Sequence, residues 1–298
     1  MDRNAAGWLR RYVGCRIEIG MHPKINHLIQ LQELSLIRAE QKAHRHGHRL
    51  DELDASVKTL TEQLPADLQA LLVRMQKRDP IVIVPMSNGT CTGCGMRIPT
   101  SLVQSVKVSE HIQVCPICTR ILYYQEGLPR HIGAAPRRGD PRKVGIARFS
   151  APGLMIPQLE ATTREEAIRE MAERMQEQGF VDDAAKLVEA ALKREAIVST
   201  AVDHGLAFPH VRGVEGGGLT LGLGISSKGI KFDGHDKTLT RIVFFLIIPT
   251  AASAFYLKLL AGLAETFSDA EARKALMGEE NPDKLWKLLV KLTKKTIA

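Results

Sequence analysis

Four cysteines in two Cys-x-x-Cys pairs are the feature that most restricts the fold of this chain. Cys91 and Cys94 form the first pair, Cys115 and Cys118 form the second, and twenty residues separate the pairs. Each pair lies in a turn with Gly or Pro, so four thiolates can meet at tetrahedral distances around one metal ion. The pattern predicts a structural zinc ribbon, in which four sulfur ligands leave no open position for catalysis.

Two disulfides are the alternative interpretation of the same cysteines. A fifth cysteine, Cys15, is left over, and the first twenty residues lack the continuous apolar core of a signal peptide. Both observations favour a reducing cytoplasm, where thiols stay available to a metal. Residues 1–21 are expected to be a disordered leader, unless translation starts at Met21.

A helical segment is expected ahead of the ribbon, over residues 22–78. Apolar residues at steps of three and four indicate a coiled-coil seam, which requires a partner helix. The seam consists of Leu50, Leu53, Val57, Leu60 and Leu64, and the partner residues are Ile25, Leu28, Ile29, Leu34, Leu36 and Ile37. Gly47, within His44-Arg-His-Gly-His48, interrupts the pattern and predicts an antiparallel hairpin, with pairing between two chains as the alternative.

A solvated turn is favoured over a metal site for the three histidines, which have no acidic or cysteine partner close in the sequence.

The second half of the chain has the pattern of an α/β domain. Thr163 and Glu166 form a capping box ahead of apolar residues at helical spacing, and residues 181–191 form another amphipathic segment. The apolar run between Arg241 and Pro249 is too short to cross a bilayer and fits a buried central strand. Further helices are expected over 251–267, 269–277 and 282–294. We therefore predict a mixed sheet with helices around it.

A histidine directly after a proline ends the segment Gly205-Leu-Ala-Phe-Pro-His210. Proline fixes its own φ and restricts the preceding residue, so the backbone at His210 is oriented before any partner binds. Ser199, Thr200 and Arg212 bring hydroxyl and guanidinium groups within about a dozen residues of the imidazole, a set of groups suited to holding a phosphoryl group on nitrogen. A hydrogen-bonded structural histidine is the alternative.

From about Leu154 to Leu289 the chain resembles the fructose/mannitol-type IIA domain of the bacterial phosphoenolpyruvate-dependent sugar phosphotransferase system (PTS). The resemblance rests on Ala-Thr-Thr-Arg-Glu-Glu-Ala-Ile at 161–168, Lys-Arg-Glu-Ala-Ile-Val-Ser-Thr at 193–200, and the segment 205–210. It implies that His210 accepts a phosphoryl group from the phosphocarrier protein HPr and passes it to a IIB domain. The chain would then be a phosphotransferase component with a phosphohistidine intermediate.

The resemblance also implies roles for Arg194 and Tyr256. An arginine sixteen positions before the histidine belongs to the family site, and here it is Arg194, whose charged fork suits phosphate oxygens. A solvated charge at a helix end is the alternative.

Tyr256 takes the place of a second histidine that the family often carries. It can donate a hydrogen bond to a phosphoryl oxygen but cannot exchange protons at neutral pH as imidazole can; a core aromatic with its hydroxyl at the surface is the alternative.

The N-terminal half resembles a family of small bacterial proteins that combine a helical hairpin with a four-cysteine ribbon. The resemblance covers about Pro23 to Tyr124 and includes Cys-Pro-Ile-Cys-Thr-Arg-Ile-Leu-Tyr at 115–123. It implies contact with another protein or with nucleic acid, and no activity.

Between the halves, residues 127–150 contain six Lys or Arg against one Asp, which accounts for +5 of the formal charge of +8. Such a run can attract nucleic acid or an acidic protein surface, or it can be a solvated connector. The ribbon carries no stripe of interleaved aromatic and basic residues that would stack bases. No segment approaches a membrane span.

These observations predict a multidomain, cytoplasmic chain of α and α/β regions. Its parts are a leader (1–21), a helical hairpin (22–80), a zinc ribbon (81–126), a basic linker (127–150) and a IIA domain (151–298). The predicted function is a phosphocarrier, regulatory or sugar-transferring, with an interaction module attached. The alternative is an adaptor that binds nucleic acid or the transcription machinery, with a sensory or inactive IIA domain. A scaffold that acts through the coiled coil is a third reading.

Overall fold

The computed structural model describes residues 23–43, 50–108, 111–125, 130, 143–214, 218–232, 238–249 and 253–297. The leader with Cys15, the three histidines between 44 and 48, and most of the basic linker lie outside these residues. The predictions made for those segments therefore stay predictions.

Three helices open the described chain: α1 Pro23–Ala43, α2 Leu50–Glu62 and α3 Ala66–Gln76. α1 and α2 run antiparallel, since His27 bonds to the Leu60 carbonyl and Arg38 pairs with Asp54. The predicted seam packs within the chain. Its buried residues contact α1 in two clusters, Leu64 with Ile25 and Leu28, and Leu53 with Ile37. The expectation of one hairpin to residue 78 was incomplete, because Pro65 has no N–H for a helix interior and separates α3 from α2.

The ribbon is a small sheet with one helix. Its elements are β1 Ile83–Ser87, β2 Thr90–Cys91, α4 Thr100–Val108, β3 Gln113–Val114 and β4 Ile121–Tyr124. In the described residues the strand order is β2-β1-β4-β3, with β1 and β4 parallel and the other pairs antiparallel. The side-chain amide of Gln32 on α1 bonds to the start of β1. Its Nε2 donates to the Ile83 carbonyl at 2.8 Å, and its Oε1 accepts from the amides of Val82 and Ile83. The hairpin and the ribbon are thus packed against each other through α1 and β1.

The C-terminal half is a mixed α/β domain. Its strands are β5 Met155–Ile156, β6 Ala201–Val202, β7 Leu206–Ala207, β8 His210–Val214, β9 Thr220–Ile230 and β10 Thr240–Pro249. Its helices are α5 Arg164–Glu177, α6 Ala184–Glu195, α7 Ser253–Ser268, α8 Ala270–Met277 and α9 Pro282–Thr293. Short 3-10 turns cover Gly145–Arg148, Pro152–Leu154 and Asp203–Gly205. The predicted fold class is confirmed.

The central strand β10 organises this domain. It pairs antiparallel with β9 and parallel with β7 and β8, and nine of its ten residues are buried. In the described sheet the order is β5-β9-β10-β7-β6, with β8 also paired to β10. The capping box is present, with the Glu166 amide donating to Thr163 Oγ1 at the start of α5. α6 begins later than the predicted residue 181, because Asp183 caps it by accepting from the Lys186 amide at 3.1 Å.

Gly205 shapes the approach to His210. Its φ of +70° lies in the left-handed region, and a Cβ at this position would lie 2.9 Å from the Leu239 carbonyl oxygen. Only glycine combines that φ with so close an approach of two backbones. The turn that the sequence indicated at this residue therefore delivers β7 and β8 alongside β10.

Candidate functional site

His210 opens β8 and lies in the buried interior with only 2% of its surface exposed. Its Nδ1 is 2.9 Å from the Phe208 carbonyl oxygen. A carbonyl can only accept, so Nδ1 carries the proton of this hydrogen bond. In the neutral ring Nε2 then holds the lone pair, and the backbone contact fixes its direction. His210 is therefore oriented with Nε2 as the nitrogen available for reaction.

Arg194, at the end of α6, lies beside this nitrogen. Its Nε donates to His210 Nε2 at 3.3 Å, and its Nη1 donates to the Val198 carbonyl at 2.8 Å. The residue is 6% exposed, so it is not the solvated charge that was the alternative in the sequence. The guanidinium is held in place by the backbone and points one nitrogen at the imidazole.

Arg212 follows His210 by two residues on β8 and is almost completely buried. It pairs with Glu33 of α1 through Nη2. Its Nη1 lies 3.6 Å from Glu40 Oε1 and, within the described part of the chain, has no hydrogen-bond partner. The site therefore contains two buried guanidinium groups, one of which has a free donor facing the anion beside it.

Tyr256 of α7 also reaches the site. Its ring centroid is 6.3 Å from that of His210, and its hydroxyl donates to Glu40 Oε1 at 2.9 Å. Burial, together with the neighbouring Glu40 carboxylate, raises the pKa of the phenol well above its usual value. Tyr256 is thus a protonated donor. Its hydroxyl lies at the buried site and not at the surface, unlike in the alternative considered from the sequence.

The anion at the centre of the site is Glu40, a residue of α1 with 1% exposure. Its Oε1 is 3.1 Å from His210 Nε2 and its Oε2 is 2.6 Å from Arg194 Nη2. Burial alone would raise the pKa of this carboxyl, but its electrostatic interactions with His210, Arg212 and Arg194 outweigh burial and hold the pKa well below its usual value. Glu40 is therefore a fully paired carboxylate.

The loop between α6 and β6 is tied down by a second buried acid, Glu195. Its carboxylate accepts from the amide of Thr200 at 3.0 Å and from the Thr200 hydroxyl. The Thr200 carbonyl in turn accepts from the Phe208 amide at 3.1 Å. Thr200 is thus linked to His210 through Phe208, whose carbonyl bonds to the imidazole. The Ser199 hydroxyl accepts from the Ala201 amide.

The structure brings together four residues that the sequence indicated, namely His210, Arg194, Arg212 and Tyr256. Sequence reasoning missed Glu40 and Glu33. Both lie on α1, where a polar position between apolar ones is read as solvent-facing. Their spacing of seven residues on one helix face was the signal available, and it had no meaning until the partner surface was known.

The four ribbon cysteines converge as the spacing predicts. Their sulfur atoms all lie within 4.8 Å of one another, with Cys91 and Cys118 at 3.7 Å and Cys94 and Cys115 at 3.8 Å. Zinc–sulfur bonds of about 2.3 Å in a tetrahedron place the sulfurs about 3.8 Å apart. The donor set and its dimensions therefore fit a zinc ion.

Known proteins match the two halves of the chain separately. Residues 149–291 match the family model of the phosphoenolpyruvate-dependent sugar phosphotransferase system, EIIA 2. The C-terminal half of the chain is therefore similar to EIIA domains, and by this similarity we refer to residues 149–291 as the EIIA domain. Residues 90–122 match the model of a C4-type zinc ribbon domain, so both resemblances found in the sequence are confirmed. Glu40 lies outside the residues that either model matches.

Three relatives illustrate what the EIIA domain is similar to. The fructose-specific EIIA component of Haloferax volcanii is 28% identical over 119 residues, 40% of this chain and 77% of the relative. The nitrogen regulatory protein of Bradyrhizobium diazoefficiens is 28% identical over 147 residues, 48% of this chain and 94% of the relative. The crystal structure of IIA-Ntr from Neisseria meningitidis is 22% identical, with a TM-score of 0.44, and the match covers 48% of this chain and 97% of that one.

Among the helices that the structure describes, none combines the length and the apolar character needed to cross a bilayer.

Proposed function

We propose that this chain is a phosphocarrier component of a phosphotransferase system, in which His210 accepts a phosphoryl group from phospho-HPr. The observation that carries the proposal is the orientation of His210: the Phe208 carbonyl holds Nδ1 and leaves Nε2 facing Arg194. Activation by a fixed hydrogen bond on the other ring nitrogen is how a histidine nucleophile is prepared.

The chemical step is an in-line displacement at phosphorus. The Nε2 lone pair forms the new N–P bond, the bond from phosphorus to the donor atom breaks, and its electron pair returns to the donor. Arg194 contacts Nε2 directly, so its guanidinium would lie against the phosphoryl oxygens. Arg212 Nη1 adds a second buried donor. These fixed charges stabilise the transferred group without reorganisation during the reaction.

Tyr256 takes a supporting role in this proposal. Its raised pKa keeps the proton on the phenol, so it can donate a hydrogen bond to a phosphoryl oxygen but cannot act as a base at neutral pH. The departure from a second histidine therefore changes proton exchange at the site and leaves anion binding intact.

Two routes are open to the phosphoryl group once it is on His210: onward transfer to a IIB protein, or retention as a regulatory mark. We favour regulation. One relative of the EIIA domain is a nitrogen regulatory protein, and in this chain the site is in direct contact with an attached module through Glu40. A module in contact with the reacting residue can respond to its state.

The ribbon has a structural role in this scheme. Cys91, Cys94, Cys115 and Cys118 would hold one zinc ion, which supplies rigidity and has no open coordination position. Backbone hydrogen bonds close the turn of each cysteine pair: the Gly95 amide donates to the Cys91 carbonyl at 2.8 Å, and the Thr119 amide donates to the Cys115 carbonyl at 2.9 Å.

The test is phosphorylation of the full chain with phosphoenolpyruvate, enzyme I and HPr, followed by intact mass under alkaline conditions. The wild type is expected to gain one acid-labile phosphoryl group and His210→Ala none. His204→Asn is the matched control, because His204 is exposed and has a φ of +68° that asparagine tolerates. A gain by His210→Ala, or a gain lost in His204→Asn, would contradict the assignment to His210.

A further inference from the structure

We propose that Glu40 occupies the phosphoryl position of the His210 site, so that docking of α1 and phosphorylation of His210 exclude each other. The inference rests on the proposed phosphorylation of His210 and adds a device to it: the hairpin and ribbon act as an internal inhibitor that phosphorylation displaces. Three features of the site support it, namely space, hydrogen bonding and charge.

The first feature is space. A group about to be transferred must approach its nucleophile to about 3–3.5 Å. Glu40 Oε1 already lies 3.1 Å from His210 Nε2. The carboxylate therefore stands where the phosphorus atom has to be, and Glu40 and His210 are only 1% and 2% exposed. A donor protein cannot reach the nitrogen while α1 is docked.

The second feature is the hydrogen bonding of Nε2. In the docked chain both Glu40 Oε1, at 3.1 Å, and Arg194 Nε, at 3.3 Å, lie against this nitrogen. Attack on phosphorus needs a lone pair on that same nitrogen. Since Nδ1 donates to the Phe208 carbonyl, Nε2 is the one ring nitrogen that can supply this lone pair. In the docked chain the contacts of Glu40 and Arg194 therefore occupy the nitrogen that has to react.

The third feature is the charge of the pocket. Arg194, Arg212 and the Tyr256 hydroxyl surround the single carboxylate of Glu40, yet Arg212 Nη1 has no hydrogen bond to any residue that the structure describes. A phosphoryl group carries about −1.5 to −2 charges and three acceptor oxygens. It would use donors that a carboxylate leaves unused. The pocket is therefore better matched to the phosphoryl group than to the residue that fills it.

Displacement of Glu40 would move the whole N-terminal unit. α1 presents Glu33, Ile37 and Glu40 to the EIIA domain on one face, at a spacing of four and three residues. From another face Gln32 and Leu36 bind the ribbon. Loss of the Glu40 contacts leaves the apolar cluster of Ile37, Leu53 and Val198 and the Glu33–Arg212 pair to hold the interface. Release would carry the ribbon away with the hairpin and uncover the EIIA surface together with that face of α1.

The experiment measures the rate at which phosphoramidate, a small phosphoryl donor, labels the full-length chain. Glu40→Gln keeps the size of the side chain and removes its charge, and Glu40→Ala removes the carboxylate. Both are expected to be labelled at least about tenfold faster than the wild type, since a site open for a tenth of the time loses about tenfold in rate. Glu62→Gln, on the exposed surface of α2, is the matched control and is expected to follow the wild type.

A second measurement needs no substitution. Hydroxyl-radical oxidation of Tyr256 and Ile37, both fully buried in the docked chain, is compared before and after labelling of the wild type. Several-fold more oxidation of both after labelling is expected, with Phe244 in the sheet core unchanged as the internal control.

The outcomes separate this inference from the proposed function. Equal labelling of the wild type and both Glu40 variants would overturn the inference and leave the phosphocarrier proposal standing. So would unchanged oxidation of Tyr256 and Ile37 in labelled wild type. Absence of labelling in every folded variant, with HPr as with phosphoramidate, would overturn the phosphocarrier proposal and the inference with it.

Discussion

The cysteine cluster of the ribbon and the charged cluster around His210 differ in how far apart their members lie along the chain. Cys91 and Cys118, the ends of the first cluster, are 27 residues apart. In the second cluster Glu40 is 154 residues from Arg194 and 216 from Tyr256. One cluster is closed by local turns, whereas the other exists only when two parts of the chain pack together.

This difference determines what each cluster can do. Local turns bring the cysteines together, and a zinc ion held by them would fix the ribbon in one arrangement. The charged cluster is held by an interface, and an interface can open while both sides stay folded. The predictions below test whether the first cluster is as rigid, and the second as separable, as this comparison requires.

Removal of one zinc ligand is expected to have the largest effect. Cys115→Ser should abolish zinc binding and unfold the ribbon, because apparent free energies of structural zinc binding are about 10–16 kcal/mol. Zinc content and thermal unfolding of the full chain measure this. The exposed neighbour of Cys94, Met96, supplies the control substitution Met96→Ser, which should keep one zinc per chain. A ribbon that keeps its fold in Cys115→Ser would show that its core suffices without metal.

Arg194→Ala is expected to destabilise the docked chain by about 3–5 kcal/mol, because it removes a partner from a buried carboxylate. In the Glu40→Ala/Arg194→Ala double variant the loss of unfolding free energy should be smaller than the sum of the two single losses. The reason is that neither substitution then leaves its partner's charge buried and unpaired. Urea unfolding followed by Trp286 fluorescence, in a Trp8→Phe background, measures both. Additive losses would mean that Glu40 and Arg194 do not interact energetically.

The sequence permits prediction of the whole cysteine cluster and of those residues of the charged cluster that lie in the C-terminal half. Cysteine spacing predicts the ribbon site directly, and Arg194 and His210, sixteen positions apart, follow from a family pattern. Glu40 could not be predicted, because its carboxylate is buried only by the packing of α1 against β8 and α7. The apolar spacing also concealed the end of α2 at Pro65, because it continues across the proline from Leu64 to Leu68.

The docked state is expected to weaken in acid through Glu40. The pKa of this carboxyl is held well below its usual value, so its contribution is complete above the ordinary value of about 4.3 and is lost as the pH falls through the lower docked value. The charged and titratable groups that face it are His210, Arg194, Arg212 and Tyr256. Oxidation of Tyr256 as a function of pH measures docking.

Glu40→Gln provides the control for this acid response. Its docked fraction should be smaller at neutral pH and should change less between neutral pH and acid than that of the wild type. A variant curve that runs parallel to the wild-type curve throughout would assign the acid response to other carboxylates.

The smallest effect is expected at the exposed ion pair of the same hairpin. Arg38 and Asp54 approach to 3.2 Å with side chains 37% and 49% exposed. Solvent and salt screen such a pair, which is worth about 0–1 kcal/mol. Asp54→Asn should therefore change the stability of the chain by less than about 1 kcal/mol and leave the labelling rate of His210 at the wild-type value. Asp54 and Glu40 are both acids of the hairpin, each paired with an arginine, and they differ in burial. If Asp54→Asn accelerated labelling as much as Glu40→Gln does, the hairpin as a whole, and not the carboxylate at Nε2, would control access to His210.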